Sequence, residues 1–427
     1  MNEDKIKLAA WLELHEQDMI GFLSRLVATP SDNPPGDCKR IAEVVLEQLA
    51  ASGFEPRLDI VPESETAAAG MIEGRNVIAE TIVGNGEGPA ITLNAHGDVV
   101  PPGEGWTYDP YGAVISEGKL YGRGAAVSKS DIAAYAFAVM ALRESGIAVD
   151  GKLTLAITFD EETGGEIGPQ RLLRQQLITP PDYAIVAGFT YAAVTSHNGC
   201  LHLEATVKGR SAHAAIPHTG ADALEAMNKL LSALYEYRKQ ISVLHSAVSG
   251  IDSPTLTVGL IQGGINTNVV PDRCVIRLDR RIIPEENPEA AEEALIAVMS
   301  AAVEGIPGIE LHVRRVLLAH PFRELSGTLP LLDALRSNWS QVMEDGELPV
   351  QGVPLYADAR HFTEAGIPTV MFGAGPRTLE EANGHRADEH VLLSDLSKAA
   401  RIITFTLYDM LKGQERFSKD KMGAAVI

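Results

Sequence analysis

Three short stretches of this sequence bring together residue types that do acid–base or metal chemistry. In Ala90-Ile91-Thr92-Leu93-Asn94-Ala95-His96-Gly97-Asp98 an apolar run leads straight into a histidine, and the aspartate two positions on is spaced to orient the imidazole. The same spacing also fits a histidine that is merely hydrogen-bonded. In Leu155-Ala156-Ile157-Thr158-Phe159-Asp160-Glu161-Glu162-Thr163-Gly164-Gly165 a second apolar run ends in three consecutive acids and a glycine turn. Acids at the end of a buried strand are costly unless cations or donors meet them. The triplet therefore reads as a catalytic or metal-binding turn, with a solvated acidic loop as the alternative. His385, in Asn383-Gly384-His385-Arg386-Ala387-Asp388-Glu389-His390, follows Gly373-Ala374-Gly375-Pro376 and is placed to close the same crevice.

The elements that must position these residues are legible as apolar runs. Helical spacing over residues 11–27 and 41–49 predicts two opening helices. Runs at 76–82, 90–93, 153–159, 183–186 and 368–372 are short, aliphatic and without alternation, and helix-like segments such as 132–143 separate them. That pattern predicts an α/β domain with a mainly parallel sheet flanked by helices on both faces. In such sheets ligands collect at the carboxyl ends of the strands, where His96 and the acidic triplet fall. From about Cys200 to Val316 the order becomes strand (201–207), helix (221–237), strand (255–261), strand (274–282), helix (288–303) and strand (310–316). This β-α-β-β-α-β order is a ferredoxin-like insert. The expected organisation is an α/β catalytic domain in two halves, 1–196 and 317–427, interrupted by a small domain at 197–316.

At 427 residues the chain has room for two or three domains. Lys and Arg total 36 against 57 Asp and Glu, and the formal charge of −21 repels nucleic acid and anionic membranes over most of the surface. Cys38, Cys200 and Cys274 have no CxxC spacing, so neither a disulfide framework nor a zinc finger is expected. The start mixes charges among its apolar residues, unlike a signal peptide, and no run approaches a membrane span. A soluble, cytoplasmic protein is expected, with a frayed tail at 418–427.

Together the motifs resemble the M20 metallopeptidase family, which includes acetylornithine deacetylases, succinyl-diaminopimelate desuccinylases, glutamate carboxypeptidases and aminoacylases. The resemblance runs through nearly the whole chain: Asn94-Ala95-His96-Gly97-Asp98 with Pro101-Pro102-Gly103 and Trp106, Tyr121-Gly122-Arg123-Gly124-Ala125, Asp160-Glu161-Glu162 with Gly164-Gly165, Gly209-Arg210-Ser211-Ala212-His213, Asn268-Val269-Val270-Pro271, Arg281 with Pro284, and Asp358-Ala359-Arg360. It implies a two-zinc catalytic domain interrupted by a lid and dimerisation domain. Position by position, it implies His96 as a ligand of one metal, Glu162 and His385 as ligands of the other, Glu161 as the base that activates water, and Asp98 as the acid that orients His96. It further implies that Asn268 and Arg281 hold the substrate carboxylate, and that His213 reaches across a homodimer to polarise the scissile carbonyl.

Two positions break the family pattern. The bridging aspartate is replaced by Val127, and an acidic ligand after the strand 182–186 is replaced by Gly188. Two dications about 3.5–4 Å apart need anionic ligands between them, so a normal two-zinc centre is not expected. His96, Glu162 and His385 are sufficient in type for one divalent metal, zinc or manganese; the other expectation is no metal at all. Ser128, Lys129 and Ser130 occupy the altered loop, either as a nucleophile–base pair or simply as the start of a helix. The expected function is hydrolysis of an amide C–N bond in a small N-acyl amino acid or related carboxylate at an atypical one-metal or metal-free site. The alternatives are a metal-independent elimination, isomerisation or ring opening, and a non-catalytic carboxylate-binding protein.

Overall fold

A computed structural model describes residues 1–343 and 346–412; the tail 418–427 lies outside them. The described chain divides into two compact units, one built from Met1–Thr195, Glu324–Val350 and the chain from Ala357 onward, the other from Ser196–Arg323 and Gln351–Tyr356.

An eight-stranded sheet, whose first six strands lie wholly in the first unit, runs in the order Arg57–Ile60, Arg75–Val83, Gly151–Thr158, Ala90–His96, Tyr183–Val186, Thr369–Met371, Ala193–His197, Val350–Val353. Its four middle members from Gly151–Thr158 to Thr369–Met371 are mutually parallel, and antiparallel strands flank them. Every residue of Ala90–His96 is buried, which explains an apolar run with no alternation: both faces of the strand are covered. Register then sets the site. His96 pairs with Thr158, and Asn94 with Val186, so the residues that follow all three strands emerge side by side.

The helix Lys129–Glu144 is buried from Lys129 through Leu142. Apolar residues all round it (Ile132, Ala133, Ala134, Tyr135, Phe137, Val139) suit a helix enclosed by the sheet on one side and the helices Glu16–Val27 and Leu393–Lys412 on the other. The opening apolar stretch does not form one helix. It is split into Glu3–Leu14 and Glu16–Val27 at His15, whose ring stacks on Trp11 at 3.9 Å and whose Nδ1 lies 2.8 Å from the Trp11 carbonyl.

The second unit is a four-stranded antiparallel sheet in the order Thr255–Gly263, Arg273–Ile282, Gly199–Lys208, Glu310–Ala319, with the helices Ala223–Ile241 and Pro288–Val303. The order along the chain is β-α-β-β-α-β. Period-two alternation sends Leu201, Leu203, Ala205, Ile276 and Leu278 into a core with Met227, Leu230, Leu234, Leu295 and Met299. The polar residues between them, His202, Glu204, Arg277, Asp279 and Arg281, take the other face.

Candidate active site

In the first unit Asp98 is the organising residue. It is fully buried. Its Oδ1 lies 3.3 Å from His96 Nδ1 and accepts from the Glu161 amide at 3.3 Å, while Oδ2 accepts from the Glu162 amide at 3.1 Å and from Asn33 Nδ2 at 2.9 Å. One carboxylate thus orients the imidazole and ties down the first turn of the acidic loop, Glu161–Thr163. Asp160 plays a separate role: its Oδ2 accepts from the amides of Ile167 and Gly168 at 2.8 and 2.9 Å. A Cβ at Gly168 would sit 2.0 Å from Asp160 Oδ1, so the latch requires glycine there.

The acids then face the histidines. Glu161 Oε2 is 4.0 Å from His96 Nε2, and Glu162 Oε1 is 3.4 Å from His385 Nε2. His385 reaches that position from a left-handed backbone, φ 62°, flanked by Asn383 at 53° and Asp388 at 58°; such φ values are uncommon outside glycine. Burial raises the Glu161 carboxyl well above its ordinary range, with Glu162, Asp358 and Asp98 adding to it and His96 opposing. Burial works against a charged His96, but Glu161 and the hydrogen bond to Asp98 outweigh it and raise its pKa. The bond to Glu162 raises His385 against the opposing effect of burial.

The structure adds carboxylates to which the sequence assigned no role. Burial pushes Asp358 up to about 7, opposed by His96. Burial also pushes Asp131 up to about 7, opposed by hydrogen bonds from the amides of Ala374, at 2.6 Å, and Gly188. The signal for Asp131 was present: an aspartate opening a helix that is otherwise apolar all round has no solvent to face. Of the altered loop, Ser128 Oγ donates to the His96 carbonyl at 3.1 Å and Lys129 Nζ donates to the Thr29 carbonyl at 2.9 Å. These two side chains serve the backbone and are not paired with each other. Burial lowers the Lys129 pKa to about 8.

The donor set is compatible with a divalent ion. Single ligand atoms of His96, Glu161 and Glu162 lie within 4.8 Å of one another, and the buried Glu162 Oε1 faces His385 Nε2 at 3.4 Å with no closer donor among the described residues. An under-satisfied buried carboxylate oxygen is what a cation completes. Val127 offers no side-chain oxygen to an ion, and Gly188 is caged. A Cβ at Gly188 would meet the Met371 carbonyl carbon and the Phe372 amide nitrogen, both at 2.7 Å.

In the second unit, His213 and Asn268 lie on loops joined by a bridge between His213 and Val269, with Ala214 N donating to the Asn268 carbonyl at 3.0 Å. Both side chains are exposed. The Ala215 amide donates to His213 Nδ1 at 3.1 Å, which in the neutral ring leaves the proton on Nε2 as an outward donor. Arg281, on Arg273–Ile282, holds Asp279 Oδ1 through Nε at 3.0 Å and lies 5.6 Å from the centre of the Tyr356 ring.

Compared with known proteins, residues 92–409 match the model of peptidase family M20/M25/M40. A succinyl-diaminopimelate desuccinylase of Methylobacterium sp. (strain 4-46) is 28% identical over 365 residues, covering 83% of this chain and 87% of the relative. An acetylornithine deacetylase of Proteus mirabilis (strain HI4320) is 27% identical over 409 residues, covering 90% and 93%. An M20 family metallo-carboxypeptidase of Sulfolobus solfataricus shares the fold, with a TM-score of 0.72 over 96% of this chain and 99% of that one at 19% identity. No helix among the described residues is long and apolar enough to cross a membrane.

Proposed function

This chain belongs to peptidase family M20/M25/M40, and we propose that it is an amidohydrolase that cleaves the amide C–N bond of a small N-acyl amino acid or related carboxylate at an atypical site holding at most one divalent metal. The observation that carries this reading is the convergence of His96, Asp98, Glu161, Glu162 and His385 beside a position, Gly188, that has no room for a side chain. The desuccinylase and deacetylase among its relatives remove, by their names, succinyl and acetyl groups from amino acids, which supports a compact acyl amide as substrate.

Glu161 acts as general base. Burial and the neighbouring acids raise its carboxyl pKa while His96 opposes them, which makes it a stronger base toward water than an exposed glutamate. Asp98 fixes the His96 ring, and through the Glu161 and Glu162 amides it fixes the loop that aims both acids. A bound ion, held by His96 and Glu162 with His385, would polarise the scissile carbonyl and acidify water. His213 of a second copy would supply an Nε2–H donor for the developing oxyanion. Asn268 and the Arg281 guanidinium take the substrate carboxylate, for which a planar fork of donors is suited.

We further propose that two copies pair through the inserted domain. The edge strand Thr255–Gly263 exposes Leu260 and Ile261 (62% and 57%), and Ile265 just beyond it is 78% exposed, a surface that a second copy would cover. Three cysteines without disulfide spacing support a reducing, cytoplasmic setting.

The test combines elemental analysis with a panel of N-acetyl and N-succinyl amino acids, assayed with and without added zinc or manganese. In a Cys200→Ser variant, which removes any thiolate-bound ion, less than one tightly held metal per chain is expected, with turnover lost in Glu161→Gln. Two metals per chain in that variant would refute the one-ion site. Absence of turnover across the panel would refute hydrolysis, and chelator-insensitive chemistry on the same acids would point to metal-independent acid–base catalysis.

A further inference from the structure

In the second unit, on the polar face of the antiparallel sheet, three side chains of different chemistry meet at one point. Cys200 and His202 are two apart on Gly199–Lys208 and so share a face. Across the ladder, His202 is paired with Asp279 and Cys200 with Arg281. Cys200 Sγ lies 3.2 Å from His202 Nε2 and 3.4 Å from Asp279 Oδ2, and His202 Nε2 lies 2.7 Å from the same Asp279 oxygen.

A nucleophile relay is excluded by which atoms meet. A thiol–imidazole–carboxylate relay uses the two ring nitrogens in turn. Here sulfur and carboxylate both converge on Nε2, so the three atoms form a triangle rather than a chain. In a tetrahedral zinc site, with bonds of about 2.3 Å to sulfur and about 2.0–2.1 Å to nitrogen and oxygen, ligand atoms stand roughly 3.3–3.6 Å apart. Both sulfur contacts are close to that spacing. The nitrogen–oxygen contact is held shorter by a hydrogen bond and opens by roughly 0.6 Å when an ion replaces the proton.

We propose that Cys200, His202 and Asp279 form a metal site of zinc type that shares no ligand with His96, Glu162 and His385. Thiolate and imidazole select zinc over magnesium or calcium, and three protein ligands leave a fourth position open. All three ligands sit on neighbouring strands, which hold ligand atoms more firmly than loops do. Arg281 Nε donates to Asp279 Oδ1 at 3.0 Å, the kind of outer contact that orients a ligating carboxylate. The site has an entry path: Cys200 is buried, but the side chains of His202 and Asp279 are 38% and 28% exposed. A zinc ion neutralised by thiolate and carboxylate, with the Arg281 cation beside it, leaves the open position favourable for an anionic oxygen such as hydroxide or a carboxylate.

The experiment is a cobalt(II) titration of the full-length reduced chain, because cobalt bound to thiolate gives a near-ultraviolet charge-transfer band that histidine and carboxylate ligands alone do not. The wild type is expected to develop this band at about one equivalent and to lose it on addition of zinc. Cys200→Ser should abolish the band, while Cys38→Ser and Cys274→Ser retain it. His202→Gln and Asp279→Asn lie on the polar face, where the fold tolerates them, and each should weaken cobalt binding by at least ~10-fold. Absence of the band in folded wild type, its persistence in Cys200→Ser, or wild-type affinity in both polar-face variants would overturn the proposal. None of these readouts depends on turnover, so they stand or fall apart from the amidohydrolase reading.

Discussion

The Asp131 carboxylate accepts a hydrogen bond from the Ala374 amide at 2.6 Å, and the Gly188 amide is its second donor. The first turn of a buried helix thereby reaches the loop from which an acidic side chain is missing. It supplies a carboxylate as an acceptor for backbone amides instead.

This buried acid has a pH signature. The Asp131 pKa stands at about 7 against an ordinary 3.8, so between those values the native state holds a proton that the unfolded state has released. Stability contributed by this group therefore falls as pH rises from about 4 to about 7 and is flat above. Asp131→Asn keeps an acceptor for the two amides and removes the titration. The variant should gain on wild type in urea midpoint as pH rises from 5 to 8, by an amount of order a few kcal/mol at most. A wild-type-minus-variant difference that does not change with pH would show that Asp131 stays ionised throughout.

The two departures from the family pattern are not equivalent in space. Val127 is partly exposed, in a turn where its amide donates to Glu389 Oε1 at 3.2 Å, and Val127→Asp should be accommodated. It places a new carboxylate among like charges, and the metal-free variant should be less stable than wild type, by about 1–3 kcal/mol, with zinc restoring it and raising the metal bound per chain. Gly188→Glu should fail on steric grounds, because its Cβ is driven into the Met371–Phe372 backbone at 2.7 Å; overpacking of this kind costs about 1–3 kcal/mol. Elemental analysis and urea denaturation of both variants separate the cases. Metal gain in Gly188→Glu without loss of stability would contradict the cage.

Much of this architecture was legible because strand burial and function share one pattern. Continuous apolar runs marked the central strands, and the residues at their carboxyl ends, His96 and Glu161, were the ones the register brings together. In the small antiparallel sheet, the polar residues between the apolar ones gave His202 and Asp279 no visible role, since their meeting depends on cross-strand register rather than sequence distance. Asp358 escaped for the same reason, since it meets the crevice through the field of His96; Asp131 was marked by its apolar helix, but its partners, the amides of Ala374 and Gly188, were not. The break at His15 was hidden because apolar spacing continues through it.

Asp160 is predicted to govern the acidic loop without touching substrate. Its Oδ2 satisfies two buried amides, Ile167 and Gly168. Asp160→Ala leaves both without an acceptor, at about 1–3 kcal/mol for each group. The loop carrying Glu161 and Glu162 loses its anchor, so kcat should fall more than KM rises, and amides 161–168 should exchange hydrogen faster. If exchange in this segment is unchanged, the latch assignment is wrong.

The Arg123–Glu389 pair supports the loop that carries Val127. Both side chains are about 1% exposed, their closest atoms are 2.5 Å apart, and the second carboxylate oxygen, Oε1, accepts from the Ala126 and Val127 amides at 3.1 and 3.2 Å. Arg123 also packs over the Trp106 ring, 5.2 Å from its centre. Removing the guanidinium strands a buried carboxylate whose pKa burial already raises against the opposing effect of Arg123. Arg123→Ala should therefore cost about 3–5 kcal/mol. The double change Arg123→Met with Glu389→Gln leaves no buried charge, retains a carbonyl oxygen for the two amides and fills most of the guanidinium's volume, so it should cost less than Arg123→Ala alone. Urea midpoints of the two variants test this directly: a double variant less stable than Arg123→Ala would mean that packing of Arg123 on Trp106, rather than charge pairing, holds the loop.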